Sequence, residues 1–384
     1  MIIGIPRQSD PAETRAAMSP AVVKKLASEK VQFAIEAGAG VGSGTSDDQF
    51  REVGATIVDP SQAGEVIWSQ ADVVVTINPP GPENAGRMKE GAVLVASAAP
   101  LVNHDLVRAC RDRKVTLFSM EFLPRTTRAQ AMDVLSSQAN LGGYKAVLLG
   151  ADACPKMFPM MMTAAGTLAA SKVLIIGVGV AGLQAIATAK RLGAVVEAYD
   201  VRAATKEQVL SLGARFVELP GAKQDDKATG GYAKEQTEEE RQKQAELMAK
   251  HVVAADVVVT TAAVFGKTPP LLIPRDVVEK MHAGSVVVDM AADPFAGRGN
   301  CEATHPGETY TTDHGVTLVG TLNLPRLLPV HASQAYATNM QNFLGEFITK
   351  EGELKLNLED EIQKGAAITH DGAVVNTMVS EKIG

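Results

Sequence analysis

Glycines at three positions of one short segment are the residues with the clearest chemical potential. Gly177-Val-Gly-Val-Ala-Gly182 follows an apolar run and opens a helical pattern. Gly177 permits a tight turn, Gly179 leaves the backbone open to a phosphate, and Gly182 lets the helix pack close to the strand. The start of the helix adds unpaired N–H groups and the positive end of the helix dipole. The segment predicts a dinucleotide-binding turn; the alternative is a glycine-rich turn that binds no nucleotide.

An acidic residue, Asp200, ends the next strand-like run, 18 residues after Gly182. A carboxylate in this place accepts hydrogen bonds from the ribose hydroxyls of the adenosine and repels a 2′-phosphate, which favours NAD over NADP. Arg202 favours the opposite outcome, because an arginine here can bind a 2′-phosphate. We expect Asp200 to dominate, since the arginine side chain can swing away and the carboxylate at the strand tip cannot.

A second polar segment begins at Arg125. After it, Gln130, Asp133 and either Ser136 or Ser137 are three or four residues apart, so they would share one face of a helix. Such a group offers the donors and acceptors that the carboxamide of a nicotinamide needs. The alternative, which spacing alone leaves open, is a solvated helix face with ordinary capping.

Other chemistries find no support in the sequence. It contains no HExxH, GxSxG or paired-carboxylate motif, and its seven histidines have no metal-ligand spacing, so we expect no metal site. The net charge of −7 gives no sign of nucleic-acid binding. The three cysteines are widely spaced, which favours a reducing cytosol. We expect no transmembrane helix, because no uninterrupted run of about 20 apolar residues occurs, and no signal peptide.

The chain alternates short β-branched runs with longer amphipathic stretches, a pattern typical of βαβ units around parallel sheets. We therefore expect an α/β fold with two Rossmann-like, doubly wound parallel sheets linked by long helices. The predicted strands cover residues 2–5, 31–36, 55–58, 72–76, 92–96 and 115–119 in the first sheet, and 172–176, 195–199, 215–219, 256–260, 285–289 and 316–320 in the second.

Helices are predicted between these strands. One covers 20–29, where Ser19-Pro20 fits an N-cap followed by a proline in the first turn, and others cover 103–113 and 180–192. The proline-free stretch 129–150 has apolar residues at helical spacing and predicts a single helix. A helix of that length suits a link between two domains.

The length of 384 residues fits two domains. We place the first at 1–135 together with 331–384, whose beginning has a helical pattern, and the nucleotide-binding domain at 136–330. A polar insert at 220–237 is too charged for a core and too long for a tight turn. Long irregular segments of this kind are usually functional or mobile, and the alternative is a disordered surface loop.

Characteristic short segments recur along the whole chain. They are Gly4-Ile-Pro-Arg7, Thr14-Arg15, Leu123-Pro-Arg125, Arg128-Ala-Gln130, Met132-Asp133, Leu135-Ser-Ser137, Met160-Met-Met-Thr-Ala-Ala-Gly166, the glycine turn with its helix, Asp200-Val-Arg202, Lys206-Glu-Gln208, Gly230-Gly-Tyr-Ala-Lys234 and Gly299-Asn-Cys301. In this combination the chain resembles the NAD-binding component, domain I, of proton-translocating nicotinamide nucleotide transhydrogenase, which shares a superfamily with alanine dehydrogenase.

The resemblance implies a division of labour. This chain would bind NAD(H), a partner subunit would bind NADP(H), and a membrane-spanning component would couple direct hydride transfer between the two nicotinamides to proton translocation. Hydride transfer between two nicotinamides needs no general acid or base, so the work lies in positioning the rings. The resemblance also implies a homodimer, activity only with the partner subunits, and a cytoplasmic protein held at the inner membrane through them.

The resemblance further implies roles for individual residues. Arg125, Asp133 and Ser136 would fix the nicotinamide end, and Gln130 would reach toward the partner's nucleotide. The other implied cofactor contacts are Ser137, the turn residues Gly177, Gly179, Val180 and Gly182, the adenosine-end residues Asp200, Val201 and Arg202, the loop residues Gly231 and Tyr232, which match a loop that closes over NAD, and Gln244 and Ala263. The family usually has leucine in place of Ala263, within a divergent segment at 261–266.

Two rival functions stay open from the sequence. An alanine dehydrogenase-like, NAD-dependent amino-acid dehydrogenase would use Arg15 for the substrate carboxylate. It also needs a lysine and an acid/base histidine, and the regions Val75-Thr-Ile-Asn-Pro79 and Val95-Ala-Ser-Ala-Ala-Pro100 contain neither. The other rival is a non-catalytic NAD-sensing module, against which Arg125, Gln130 and Asp133 argue.

Overall fold

Parallel strands dominate the structure, a computed structural model that describes residues 1–218, 238–263 and 265–383. The strands are β1 (Ile2–Ile5), β2 (Gln32–Glu36), β3 (Thr56–Val58), β4 (Val73–Val75), β5 (Val93–Ala96), β6 (Thr116–Ser119), β7 (Met161–Thr163), β8 (Gly166–Leu168), β9 (Lys172–Ile176), β10 (Val195–Tyr199), β11 (Arg215–Phe216), β12 (Val257–Thr260), β13 (Val286–Asp289), β14 (Thr309–Thr311), β15 (Thr317–Val319), β16 (Ala367–His370) and β17 (Ala373–Val374).

Helices connect most of these strands. The α-helices are α1 (Pro20–Leu26), α2 (Asp47–Glu52), α3 (Pro82–Ala85), α4 (His104–Asp112), α5 (Val134–Ala153), α6 (Val180–Arg191), α7 (Lys206–Ser211), α8 (Glu238–Ala254), α9 (Arg275–Val278), α10 (Pro329–Leu344), α11 (Glu361–Ala366) and α12 (Thr377–Ile383). A π-helix covers Gly64–Ser69 and a 3₁₀ helix covers Arg128–Met132. Among the described residues, no helix combines the length and apolar character that crossing a bilayer requires.

Two compact units divide the chain, Met1–Gln138 with Arg326–Gly384, and Ala139–Pro325. The sheet of the first unit has the strand order β17-β16-β6-β5-β4-β1-β2-β3. Strands β1 to β6 pair in parallel, and the chain runs from β1 outward to β3 before it returns to place β4 on the other side of β1. This reversal is the topological switch point of a doubly wound sheet. The expected α/β class is therefore confirmed for this unit.

Apolar residues cover both faces of this sheet. In β4, Val73 and Val75 join one buried cluster and Val74 joins the other, as the alternating pleat requires. Continuous β-branched runs of this kind are typical of parallel strands with both faces buried. The pattern explains why the sequence predicted this strand correctly.

Helix α10 packs into the core of the first unit. The ring of Phe343 meets Phe118 edge-on, with centroids 5.2 Å apart and an interplanar angle of 86°, and its residue is fully buried. Such aromatic pairs contribute about 0.5–1.5 kcal/mol beyond the burial of their area. The segment after Arg326 thus helps to hold the first sheet.

The second unit has the strand order β11-β10-β9-β12-β13-β15-β14. All its pairs are parallel except β14 with β15. Its switch point lies between β9 and β12, whose last residues, Ile176 and Thr260, are directly paired. The turn after β9 and the loop after β12 therefore leave the sheet side by side.

Several expectations need correction. The single helix predicted at 129–150 is wrong, because the 3₁₀ helix Arg128–Met132 precedes an extended Asp133 (ψ 94°) and α5 begins only at Val134. The strictly parallel sheets are wrong as well, since β14, β16 and β17 pair antiparallel and went unpredicted.

Helix α1 also ends earlier than predicted, at Leu26. The Ser28 hydroxyl accepts hydrogen bonds from the N–H groups of Lys30 and Val31, at 3.3 and 3.1 Å. A serine side chain bonded to nearby backbone in this way favours a turn over a continued helix. The predicted N-cap is confirmed, because the Ser19 side chain accepts from Val22 N and Pro20 follows it in the first turn.

Candidate functional site

The glycine turn of the second unit has the geometry that its sequence predicts. Gly177 follows β9 directly and has φ +96°, a conformation that favours glycine. A Cβ atom on Gly182 would lie 1.9 Å from the carbonyl oxygen of Gly177, so only glycine fits there. A Cβ atom on Gly179 would have no heavy atom within 4 Å. The backbone of Gly179 thus borders open space, as close approach by a phosphate requires.

Helix α6 begins at Val180, directly after Gly179. In the described part of the chain, no side chain caps this amino terminus by a hydrogen bond. Its first N–H groups and the positive end of its dipole are thus available to an anion. Together with the open space at Gly179, this arrangement fits a dinucleotide pyrophosphate.

Asp200 follows β10 beside this turn and is held by four donors. Its Oδ2 accepts from Val178 N at 2.7 Å, and its Oδ1 accepts from Arg202 N at 2.8 Å. The Arg202 guanidinium binds both oxygens, Nε to Oδ1 and Nη2 to Oδ2, each at 2.9 Å. Burial acts to raise the pKa of the Asp200 carboxyl, but the hydrogen bonds from Arg202 and Val178 outweigh it and hold that pKa below its ordinary value. Asp200 is therefore ionised at neutral pH.

The pairing corrects the expectation that Arg202 stands aside. Its guanidinium partly neutralises the charge that would repel a 2′-phosphate, and the same guanidinium could bind one. The preference for NAD then depends on ribose hydroxyls replacing Arg202 at the carboxylate. Val201, between the two, is 53% exposed and offers an apolar surface next to this carboxylate.

The loop after β12 contacts the same turn, a feature that sequence reasoning missed. Thr261 Oγ1 donates to the carbonyl oxygen of Gly177 at 2.9 Å. Asn300 then fixes the following residue, because its Oδ1 accepts from Ala262 N at 3.0 Å and its Nδ2 donates to Ala262 O at 2.8 Å and to Pro270 O at 2.9 Å. Asn300 is fully buried. One side chain thus sets the backbone just before Ala263.

A buried carboxylate, Asp289, organises the segment that contains Asn300. It ends β13 and is 1% exposed. Its donors are Thr260 Oγ1, Ala291 N, Asn300 N, Cys301 N and Thr304 Oγ1, at 2.8 to 3.3 Å. A Cβ atom on Gly299 would lie 2.3 Å from Asp289 Oδ2, which explains the glycine of the Gly299-Asn-Cys301 segment. That segment was the available signal, but no local pattern connects it to the loop after β12.

In the first unit, Asp133 and Ser136 are brought together. Asp133 Oδ1 accepts from Ser136 N at 2.9 Å, and Oδ2 accepts from Ser136 Oγ. The carboxylate therefore serves the amino-terminal N–H groups of α5 in the manner of an N-cap. Ser137 Oγ instead donates to Asn339 Oδ1 at 2.7 Å.

Gln130 does not share this helix face, contrary to the prediction. It lies on the separate 3₁₀ helix and is exposed. The physical reason is the capping by Asp133, which leaves the helical conformation between the two residues. Arg125 is also exposed, and within residues 1–218 no ion pair of its guanidinium is present.

The remaining predicted contacts have different standings. Gln244 lies on α8 and is half-buried, while Ala263 is exposed and follows the residue that Asn300 holds. Gly231 and Tyr232, and with them the insert at 220–237, lie outside the described residues.

Arg15, the residue of the amino-acid dehydrogenase alternative, is buried and already paired. Its Nε and Nη2 donate to Glu13 at 2.8 and 2.6 Å, and its Nη1 donates to Gln138 Oε1 at 2.8 Å. Asn78, in the region where the alternative needs a lysine, donates its Nδ2 to Glu13 Oε2 at 3.2 Å. Burial acts to raise the pKa of Glu13, but Arg15 and Asn78 outweigh it and hold that pKa below its ordinary value. The guanidinium thus has an internal carboxylate partner.

Comparison with known proteins places this geometry in a family. The profile "Alanine dehydrogenase/PNT, N-terminal domain" matches residues 4–142, and "Alanine dehydrogenase/PNT, C-terminal domain" matches residues 146–377. An NAD(P) transhydrogenase subunit alpha protein of Rhodospirillum rubrum is 48% identical over 98% of both chains, and its counterpart in Rickettsia prowazekii is 41% identical over 96% of this chain and 95% of its own. The crystal structure of transhydrogenase from Sinorhizobium meliloti has a TM-score of 0.87 at 43% identity and covers 98% of this chain and 100% of its own. The chain therefore belongs to the alanine dehydrogenase/PNT family, among the NAD(P) transhydrogenase alpha subunits.

Proposed function

We propose that this chain is the NAD(H)-binding component of a proton-translocating transhydrogenase. It exchanges a hydride directly with NADP(H) held by a partner subunit, and a membrane-spanning component couples that exchange to proton translocation. The observation that carries the proposal is the glycine turn, with open space at Gly179, an uncapped helix α6 and the ionised Asp200 beside it. Similarity to the transhydrogenase alpha subunits supplies the reaction class.

The nicotinamide supplies the hydride chemistry, and the protein supplies position. Gly177, Gly179 and the first turn of α6 hold the pyrophosphate, and Asp200 accepts the ribose hydroxyls. Arg125, Asp133 and Ser136 orient the nicotinamide end, while the exposed Gln130 reaches the partner's nucleotide. No side chain has to gain or lose a proton, because a hydride moves between two carbon atoms.

The assembly follows from the same relationship. We propose a homodimer that is active only with its partner subunits and that is held on the cytoplasmic face of the inner membrane through them. The subunit alpha names of its relatives support partners of this kind. The proposed contacts of Ser137, Gln244 and Ala263 with the cofactor belong to the same hypothesis.

An amino-acid dehydrogenase is the weaker alternative. A substrate carboxylate at Arg15 would have to displace Glu13, which binds the guanidinium through two nitrogens. The site would also lack the lysine, since Asn78 occupies that region. Alanine-dependent NAD reduction by the purified chain alone would favour this alternative over the proposal.

A glycine pair provides the test of the proposed site. Gly179→Ala adds a methyl group where no protein atom is within 4 Å, at φ −85° and ψ −163°, which alanine tolerates. It should leave folding nearly intact yet strongly weaken NADH binding in calorimetry, because the methyl group meets the pyrophosphate. Gly345→Ala is the matched control, since its Cβ meets only ordinary contacts at 3.4 and 3.6 Å. Equal NADH affinity of both variants would overturn the assignment of the turn.

A further inference from the structure

A cavity of about 380 Å³ lies in the first unit. Arg7 and Gln8, just after β1, line it together with Glu36, the last residue of β2, and Thr76, just after β4. Strands β1 and β4 are neighbours in the sheet although the chain reverses direction between them, so the cavity lies at the switch point. Open α/β sheets bind ligands in the crevice outside the carboxyl ends of their strands at this point. The position is one at which such a fold offers a ligand site.

Two arginines give the cavity a positive charge. Arg7 and Arg87 both line it, and within the described ranges neither guanidinium forms an ion pair or donates a hydrogen bond. A Cβ atom on Gly64 would lie 2.6 Å from Arg87 Nη1, so the guanidinium lies directly over bare backbone. A cleft lined by one sign of charge concentrates ions of the opposite sign. The fork of a guanidinium matches a phosphate in geometry.

One carboxylate accompanies these arginines. Glu36 is half-buried, and its Oε2 accepts from Arg7 N at 2.9 Å, while its Oε1 has no partner in the described part of the chain. Glu36 ends the strand beside β1, the place that Asp200 takes at the strand beside β9. A carboxylate in this place of a Rossmann-like sheet accepts hydrogen bonds from vicinal ribose hydroxyls. Its presence favours a ligand with a diol over a bare anion.

Gln8 adds a donor. Its Oε1 accepts from Thr76 Oγ1, Ile77 N and Asn78 N at 3.0 to 3.2 Å, which fixes the orientation of the amide. The NH₂ group has no acceptor among the residues the structure describes, so it is available to an oxygen in the cavity. The cavity volume is at the low end of the roughly 300–1,000 Å³ of small-molecule sites, which suits a monosaccharide phosphate better than a dinucleotide.

We propose that this cavity is a second ligand site, for a small phosphorylated sugar with a vicinal diol. Arg7 and Arg87 hold the phosphate, Glu36 accepts the two hydroxyls, and Gln8 donates to a ring or bridging oxygen. The site is separate in residues and chemistry from the proposed dinucleotide turn, and it does not depend on that turn being correct.

Ribose 5-phosphate is the probe, and the chain carries its own reporter. Trp68 is the sole tryptophan of the sequence, lines the cavity and is 6% exposed. Titration of the full chain should give a saturable change in tryptophan emission and a matching calorimetric isotherm. Arg7→Gln and Arg87→Gln should each weaken binding about tenfold or more, the scale expected for one lost charged hydrogen bond. Arg108→Gln is the control, because this exposed arginine pairs with Asp105 on α4 and does not line the cavity.

Two further variants separate the alternatives. Glu36→Gln should weaken ribose 5-phosphate but leave the affinity for inorganic phosphate unchanged. NADH affinity should be the same in Arg7→Gln, Arg87→Gln and the parent chain. The absence of saturable binding, or equal binding in the parent and both cavity arginine variants, would overturn the site. Loss of binding in Gly179→Ala with retention in Arg87→Gln would overturn it as well, since the probe would then occupy the glycine turn. Unchanged affinity in Glu36→Gln would overturn the assignment of a diol.

Discussion

Asn300→Ala should release the loop after β12 and thereby loosen the glycine turn. The amide makes three hydrogen bonds, to Ala262 N, Ala262 O and Pro270 O, and it is fully buried. Each such bond contributes about 0.5–1.5 kcal/mol net. Their loss therefore predicts a fall of roughly 2–4 kcal/mol in the free energy of unfolding. Because Ala262 follows Thr261, whose hydroxyl binds Gly177 O, we also expect NADH affinity to fall about tenfold.

Urea unfolding and NADH calorimetry on the same preparation measure the two effects. Asn357→Ala is the control, because the side chain of this exposed asparagine only accepts a hydrogen bond from Glu359 N at 3.1 Å in the described structure. The control should lose less than about 1 kcal/mol and no NADH affinity. An Asn300→Ala chain that unfolds like the control would refute the role of the amide as a clamp. Lost stability with unchanged NADH affinity would refute the link from this loop to the turn.

Three other variants test separate parts of the molecule. Asp200→Asn should narrow the gap between NADH and NADPH affinity in calorimetry; because the folded pKa of Asp200 is depressed, its ionisation stabilises the fold above the unfolded pKa and is lost as pH falls through the folded one, so the variant should lose less stability in acid. Gln130→Asn should leave NADH binding within a few fold and slow single-turnover hydride transfer in the reconstituted complex about tenfold, or roughly 1.4 kcal/mol. Phe343→Ala should cost about 3–5 kcal/mol of unfolding free energy, against less than about 1 kcal/mol for Phe295→Ala, which is 82% exposed.

Sequence patterns predicted the buried strands well because their chemistry is local. Runs such as Val73–Val75 and Val257–Thr260 are apolar on both faces, and this property belongs to the residues themselves. The glycine turn was equally accessible, since Gly177 and Gly182 are each required by the local backbone. Short edge strands carry less signal, so the two-residue β17 and the antiparallel β14 went unpredicted.

Competition between side chain and backbone caused the main error. The spacing of Gln130, Asp133 and Ser136 is helical, but Asp133 binds the N–H of Ser136 and ends helical geometry at its own position. Long-range contacts caused the main omission. Asn300 lies 38 residues from Ala262 in the chain, and no periodic pattern predicts which loop a buried amide will fix.

The two sheets share a topology but differ at their switch points, and the difference decides what each can hold. After β9, glycines expose the backbone and α6 begins at once with an uncapped terminus, so N–H groups can bind a pyrophosphate. After β1 the chain continues with Pro6 and Arg7, and the next α-helix starts only at Pro20, where Ser19 already caps it. Backbone groups cannot hold a phosphate there, and any anion must be bound by guanidinium groups. The acidic residue at the neighbouring strand end, Glu36 or Asp200, is common to both. On this view the first sheet keeps the place for a sugar diol but replaces the dinucleotide turn with side-chain recognition of a smaller phosphate.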